Sequence, residues 1–364
     1  MSSLSIALIG PGLVGTEVLG QIAAHGGAGL RVVAVASSRR VAVAGAGDDG
    51  ALGLFAAADD ALDALTAAAQ RHRPCVVVDC TASGDVAARY PAWLALGLHV
   101  VTPNKKPFAG PRLLFDAIRS AARAANVSAL HEASVGAGLP ILSTLSDLVD
   151  TGDSIVKIEG ILSGTLSYIF NNFSSTSTAA NQTPLSFSAI VNEARQNGYT
   201  EPDPRDDLNG MDVARKVVIL ARVAGLNLSL EDLPIENTVP EPLRAIPSAD
   251  EFMVRLPDFD AHFAALNDAA RARGKVLRCV GVVDPVNPSA SGVKLAEYDA
   301  SHPFASLKGS DNIIAFTTKR FPNPLIVQGA GAGAAVTAFG VFSDILKIKR
   351  QVEYASRLHP NTHP

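Results

Sequence analysis

The chain has 364 residues, 48% hydrophobic and 18% charged, and its 31 basic and 35 acidic side chains give a net charge of −4. That length suits two packed domains, and a charge spread without a basic stripe argues against nucleic acid as a partner. Three cysteines, Cys75, Cys80 and Cys279, fall in no ligand spacing. Neither a disulfide framework nor a zinc centre is therefore expected, and a reducing, cytoplasmic setting fits. No apolar run is long enough to span a bilayer, so no membrane partner is expected, and the N-terminal SIALIG reads as a strand rather than a signal peptide.

In chain order, residues 6–10, 31–37, 76–80 and 99–102 are short β-branched runs separated by alanine-rich, helix-length stretches. Strands that are apolar throughout, alternating with helices, predict a doubly wound parallel α/β sheet of the Rossmann type, covered on both faces. Residues 41–59 carry no clear period and read as a surface excursion. Residues 111–126, with Pro111 in the first turn and Leu113, Leu114, Ala117, Ile118 and Ala121 at helical spacing, predict an amphipathic helix.

After about residue 150 the pattern changes. A strand is predicted over 154–162, then a Ser/Thr/Asn-rich, mobile loop over 174–186, then helices over 187–196 and 211–224. Further β-like runs at 276–283, 291–297 and 313–318 predict an α+β domain with a mixed sheet, and 334–349 reads as a closing helix. The expected division is a nucleotide-binding domain over 1–150, with 330–364 packing back onto it, and a second domain over 151–329.

GPGLVG places Gly10, Gly12 and Gly15 directly after a strand, with Leu13 and Val14 opening a helix. Glycine permits the tight turn, lets main chain approach a pyrophosphate and allows helix to pack closely on strand, and the helix N-terminus offers N–H groups to phosphate. An acidic residue usually follows the second strand where NAD is preferred. Here Ser37, Ser38, Arg39 and Arg40 stand there, a set that suits the 2′-phosphate of NADP or, more plainly, a solvated loop end. DCTAS (79–83, with Thr81) and TPNKK (102–106, with Lys105) sit at strand carboxyl ends and are expected to line the nicotinamide crevice. Cys80 reads as a small core residue rather than a nucleophile, because no histidine lies near it in sequence.

The segment 201–216 concentrates charge: Glu201, Asp203, Arg205, Asp206, Asp207, Asp212, Arg215 and Lys216. Asp212 and Lys216 stand one helical turn apart. Spacing alone allows an ordinary surface ion pair. Val213, Val217, Ile219 and Leu220 leave little polar face, which allows the other reading, a pair turned into a cleft where the lysine can exchange a proton.

GYTEPDPRDDLNGMDVARK resembles the signature of homoserine dehydrogenases, and TPNKK, HEASVGAGLP, EGILSGTLSYIF, SHPFASLKGSDN and QGAGAGAAVTA follow in that family's order. The length is most similar to the short, fungal-type, monofunctional enzymes. The resemblance implies reversible NADP(H)- or NAD(H)-dependent reduction of L-aspartate 4-semialdehyde to L-homoserine, on the route to threonine and methionine, by a homodimer whose second domain carries substrate and dimer contacts. It makes Lys216 the acid/base, Asp212 and Glu201 substrate contacts within a segment that Gly198 opens, and Lys105 a cation near nicotinamide and substrate. It also implies a sodium ion held mainly by main-chain oxygens at Glu132, Val135, Ala137 and Leu139. Gly333, ahead of the last helix, would complete the one cofactor site rather than form a second. His302 in SHPF reads equally as a pH-sensitive contact or a hydrogen-bonded loop histidine. Two competing readings differ in what they require: an aspartate-semialdehyde dehydrogenase needs a catalytic cysteine, and a non-catalytic nucleotide sensor needs no charged constellation.

Overall fold

A computed structural model describes residues 3–26, 29–45, 52–175 and 185–358. The chain divides into two units, Met1–Pro140 with Gly333–Pro364, and Ile141–Ala332. The helix Ile141–Asp150 thus belongs to the second unit, nearer the chain start than the sequence-based boundary at 150. Among the described residues, no helix is long and apolar enough to cross a membrane. Most of the loop expected to be mobile, 176–184, lies outside the described residues.

The first unit is built on strands β1 (Leu4–Ile9), β2 (Leu30–Ala36), β3 (Arg40–Val43), β4 (Ala56–Ala57), β5 (Cys75–Asp79), β6 (His99–Val101) and β7 (Ala129–Leu130), in the order β4-β3-β2-β1-β5-β6-β7. Strands β2, β1, β5, β6 and β7 run parallel, while β3 and β4 add antiparallel at one edge. Every residue of β1 and β5 is buried, as expected of a parallel strand covered by helices on both faces. The expected surface excursion over 41–59 therefore contains two edge strands, too short to show a period because main-chain pairing holds them. From β1 the chain moves out to β2 on one side and later returns to β5 on the other. The carboxyl ends of β1 and β5 thus flank the switch point where ligands collect in such sheets.

The helix Ala334–Leu358 completes this unit. Its Ala338, Val341, Ile345 and Ile348 share one core with Leu4, Ile6, Val18 and Ile22. Gln21 Nε2 donates to Ala335 O at 2.9 Å, tying the helix Leu13–Ala24 to the start of this last helix.

The second unit holds β8 (Ile155–Ile161), β9 (Lys275–Val283), β10 (Gly292–Asp299), β11 (Asp311–Thr318) and β12 (Leu325–Ala330), in the order β10-β9-β8-β11-β12. The mixed sheet expected from sequence is corrected here: among the described residues every strand pair of this sheet is antiparallel, and the parallel element is an isolated bridge between Ile235 and Val293. Periodicity reports burial and not direction, which is why the sequence could not separate the two. Strand β12, which the sequence reading omitted, is an edge strand half-buried in alternation and runs straight into the glycine-rich 329–333. Phe187 stacks on Phe263 with ring centroids 3.8 Å apart, joining the helices Phe187–Gln196 and Asp260–Arg271.

The helix Met211–Val223 presses on the sheet at Gly281 of β9, where a Cβ would come 2.6 Å from Val217 Cγ2. That glycine sets how close the helix carrying Asp212 and Lys216 can lie to the strands.

Two histidines make the first unit sensitive to acid. His99 Nδ1 accepts the N–H of Ser128 at 3.0 Å, and burial pushes its pKa down to about 4. His131 stacks face to face on Phe108 at 3.6 Å, and burial pushes it down to about 3. Both are neutral when folded, whereas unfolded histidine binds a proton below about pH 6.5. Their contribution to stability is thus present above that pH and is lost as pH falls towards 4 and 3, by up to about 1.4 kcal/mol per pH unit for each group. Thermal melts between pH 7.5 and 5 are expected to show a falling midpoint, less steep in His99→Gln; equal slopes for both proteins would contradict this account.

Candidate active site

The glycine turn at the end of β1 is fixed by contacts that differ from residue to residue. Gly10 has φ +83°, and a Cβ there would meet Thr81 Cγ2 at 2.7 Å, so Thr81 and the turn are in close contact. A Cβ on Gly15 would stand 2.2 Å from Gly10 O, so the helix can lie on the strand only with glycine there. Gly12 is different: no protein atom lies within 4 Å of its Cβ position. The space in front of Gly12 is open, as the approach of a ligand requires.

Gly12 caps the helix Leu13–Ala24 with no side-chain hydrogen bond, and no acid occupies the first turn. Bare N–H groups and the positive end of the helix dipole together suit a phosphate. Leu13 is 86% exposed beside this opening, whereas Val14 packs against the core. Gly333 has φ +110°, with nothing within 4 Å of its Cβ position.

Beyond β2, Ser37 Oγ accepts the N–H of Arg40 at 3.1 Å and closes a tight turn into β3. Arg40 is turned to its own unit: Nε donates to Phe55 O at 3.1 Å, and the guanidinium lies 4.8 Å from the centre of the Phe55 ring. Arg39 is exposed at the tip of this turn. Both arginines singled out by sequence are exposed; they differ in that the Arg40 guanidinium is engaged with Phe55.

The segments DCTAS and TPNKK meet through a buried polar network. Thr102 Oγ1 donates to Asp79 O at 2.7 Å, and Asn104 Nδ2 donates to Ser83 O at 2.9 Å and to Asp79 Oδ2 at 3.2 Å. Lys105 is half-buried and precedes the short helix Lys106–Ala109. Burial pushes the Cys80 thiol up to about 12 and Cys279 equally, and raises Cys75 as well. A cysteine held protonated in this way is a poor nucleophile, which tells against the aspartate-semialdehyde dehydrogenase reading.

At the candidate sodium loop, Val135 and Ala137 are buried, and consecutive residues Gly136 and Ala137 have φ of +73° and +53°. The Glu132 carboxylate is turned to Lys347 Nζ at 3.3 Å. Asp344 takes the same ammonium at 2.8 Å and the Glu132 N–H at 2.9 Å. Two buried carboxylates thus surround one ammonium beside a loop bent in the left-handed region. The chemistry fits a monovalent cation held by main-chain oxygens, since the Glu132 side chain is already engaged. Among the described residues, no group of three or more His, Cys, Asp or Glu suits a metal ion.

In the second unit, Lys216 is 7% exposed, and its Nζ lies 2.5 Å from Leu162 O and 2.7 Å from Asp212 Oδ2. The surface-pair reading of these residues fails because the helix is buried nearly all round; Asp212 alone of the two reaches solvent, its side chain 42% exposed. Leu162 directly follows β8 and precedes Ser163, whose Oγ caps the helix Gly164–Phe173 by accepting the Leu166 N–H at 3.2 Å. Lys216 is therefore aimed at a strand-to-helix junction.

Asp207 organises the loop that precedes it. Its Oδ2 accepts the Glu201 N–H at 2.8 Å, and its Oδ1 lies 2.8 Å from Thr165 Oγ1, which is also 2.6 Å from Tyr199 O. Burial raises the Asp207 carboxyl above the usual range. The Glu201 side chain is exposed, and Gly198, with φ +70°, ends the helix Phe187–Gln196. Sequence reasoning named Asp207 in the charged segment and Asp79 in the crevice segment without giving either a role, and it missed Thr165 and Leu162 O, because a main-chain oxygen carries no residue signal and the acids have no distinctive spacing.

Residues 140–346 match the family described as homoserine dehydrogenase, and residues 10–132 match the homoserine dehydrogenase NAD binding domain. A homoserine dehydrogenase of Schizosaccharomyces pombe is 47% identical over 374 residues, covering 96% of this chain and 96% of that protein. The chain belongs to the homoserine dehydrogenase family. A chloroplastic bifunctional aspartokinase/homoserine dehydrogenase 1 of Arabidopsis thaliana is 48% identical over 362 residues, but this chain spans 39% of its length. Among solved structures, a Candida auris protein described as of unknown function superposes with a TM-score of 0.88 at 42% identity, covering 97% of this chain and 99% of that one.

Within the homoserine dehydrogenase frame, the glycine turn separates two kinds of substitution. Gly12→Ala is expected to fold with an unchanged melting midpoint and to bind NADPH at least tenfold more weakly. Gly15→Ala is expected to lower the midpoint itself, because its methyl group meets Gly10 O. Calorimetry with NADPH titration reads both, and a Gly12→Ala protein of normal affinity would place the phosphates elsewhere.

Proposed function

We propose that the chain reduces L-aspartate 4-semialdehyde to L-homoserine reversibly, with Lys216 as the acid/base. The observation that carries this reading is the buried ammonium of Lys216, held between Leu162 O and the half-exposed carboxylate of Asp212. A bound reduced nicotinamide supplies the hydride. As the carbonyl carbon accepts it, the oxygen gains negative charge and must take a proton, and an oriented ammonium is suited to deliver one. Asp212, which reaches solvent while touching Nζ, holds the lysine in place and offers an acceptor to substrate. Glu201, exposed on the loop that Asp207 organises, is the carboxylate assigned to the substrate amino group, and Gly198 bends the chain ahead of it. Lys105 is assigned the assisting role of a cation that stabilises negative charge on oxygen. In reverse, Lys216 accepts the hydroxyl proton.

The cofactor assignment follows the turn after β2. Gly10, Gly12, Leu13, Val14 and Gly15 receive the pyrophosphate, Thr81 and Lys105 line the nicotinamide end and Gly333 closes the site. The exposed Arg39 pairs with a 2′-phosphate, so NADP(H) is preferred over NAD(H). A sodium ion at Glu132, Val135, Ala137 and Leu139, held through main-chain oxygens, is assigned a structural role. The enzyme is read as a cytoplasmic homodimer serving threonine and methionine synthesis, its second unit carrying the substrate and the dimer contacts.

Turnover is followed by NADPH absorbance with the semialdehyde, and by its appearance with homoserine. Lys216→Ala is expected to lose about 100- to 10,000-fold in kcat while binding NADPH normally. Normal turnover in that variant would remove Lys216 from the chemistry, and no homoserine-dependent signal from the parent protein with either cofactor would refute the activity. Arg39→Ala is expected to raise the KM for NADPH about tenfold and leave that for NADH unchanged. Equal effects on both would dissociate Arg39 from the 2′-phosphate.

A further inference from the structure

One costly buried polar group in the first unit has no part in the scheme above. Asp79, the last residue of β5, is fully buried, and each of its hydrogen-bond partners is neutral. Oδ1 accepts the Thr81 N–H at 2.8 Å. Oδ2 accepts the Tyr90 hydroxyl in a short hydrogen bond and the Asn104 amide at 3.2 Å. A buried carboxyl without a cation is expensive, and an apolar residue would end the strand at lower cost. Burial accordingly raises its pKa despite the donors around it.

The network ends at Lys105. Asn104 Nδ2 reaches both Asp79 Oδ2 and Ser83 O, its main-chain N–H donates to Thr102 Oγ1 at 2.9 Å, and its Oδ1 accepts the Lys106 N–H at 3.1 Å. Thr102 in turn donates to Asp79 O. Lys105 is therefore flanked by two residues whose main-chain N–H groups are fixed, one by the Thr102 hydroxyl and the other by the Asn104 side chain. Beyond it, Phe108 of the helix Lys106–Ala109 is seated flat on His131. The stretch carrying Lys105 is secured on both sides, and on the strand side the hold runs through Asn104, which is tied to Thr102 Oγ1, to Ser83 O and to the Asp79 carboxyl.

We propose that Asp79 is a positioning residue for the reaction, fixing through Asn104 the main chain that presents Lys105 to the developing oxyanion. The inference rests on the reading of Lys105 given above. Tyr90 and Asn104 are its working partners: Tyr90 holds the carboxyl oxygen and Asn104 transmits its position. Asp79→Asn is the informative change. Its amide can still accept from Thr81, but an NH2 group now faces the Asn104 NH2 or the Tyr90 hydroxyl, and two amide donors cannot bond to each other. The strand end keeps its volume while the link to Asn104 is lost.

A double-mutant cycle on Asp79→Asn and Lys105→Met tests this, read by kcat, the KM of each substrate, the deuterium isotope effect with NADPH labelled at the transferred position, and thermal melting. Asp79→Asn is expected to lower kcat about 100-fold, the scale of a misplacement near 1 Å. It should change the NADPH dissociation constant little and raise the isotope effect on kcat. The double variant should be no slower than Lys105→Met alone, because Asp79 acts through that lysine. Losses that multiply in the double variant, or a fall in activity that only tracks the folded fraction at unchanged isotope effect, would overturn the proposal. If Lys105→Met is slow and Asp79→Asn is normal, Asp79 alone is dismissed; if Lys105→Met is itself normal, the reading of Lys105 falls and the proposal with it. Should Asp79→Asn fail to fold, Asn104→Ala enters the same cycle with the same expectations.

Discussion

The hydrogen bond from Lys216 to the main-chain carbonyl of Leu162 is the constraint around which the second unit is arranged. It joins a helix buried almost all round to the end of β8. An ammonium in such surroundings needs acceptors that cannot swing away, and a carbonyl at the end of a central sheet strand meets that need. For the contact to form, the helix must lie close, which Gly281 permits, and β8 must end where Ser163 can begin a new helix. Packing distance, strand termination and the seating of one ammonium are thus one requirement seen at three scales.

The first unit answers a related problem with the opposite sign. There a carboxyl, Asp79, is buried at a strand end, and neutral donors replace a counter-ion. Elsewhere in the same unit Glu132 and Asp344 share Lys347, so that the last helix is tied by charge as well as by its apolar face. In that unit the buried carboxyls thus stand at a strand end and along the seam of the last helix, whereas in the second unit Arg278 is buried inside β9 and donates to the main-chain oxygens of Phe304, Ala305 and Ser174.

What could be read from sequence follows from how local each cause is. The glycine turn was legible because Gly10 and Gly15 are demanded by atoms a few residues away or on the next parallel strand, and the open space at Gly12 fits the same motif. Strands β1, β2, β5 and β6 announced themselves as continuous apolar runs. Strands β3, β4 and β12 did not, since edge pairing of two to six residues is carried by main chain that any sequence possesses. The antiparallel direction of the second sheet was equally hidden. For Lys216, spacing permitted a surface pair; burial on all sides of its helix, a tertiary property, decides against it. Asp79, Tyr90 and Asn104 are 11 and 25 residues apart from the first to each of the others, and nothing local connects them. Resemblance to a family supplied the roles, while only the fold supplied the partners.

The return of the helix Ala334–Leu358 to the first unit also sets a timetable. A ribosome delivers β1 to β7 early, yet Ala338, Val341, Ile345 and Ile348, which cover one side of β1, emerge only after all of Ile141–Ala332 has been made. During that interval Leu4, Ile6 and Val18 lack their cover, while the intervening unit already has every strand of its own sheet. Synthesis from the N-terminus therefore favours completing the inserted unit first. The nascent nucleotide unit waits with an open apolar face, the state in which a chaperone would meet it.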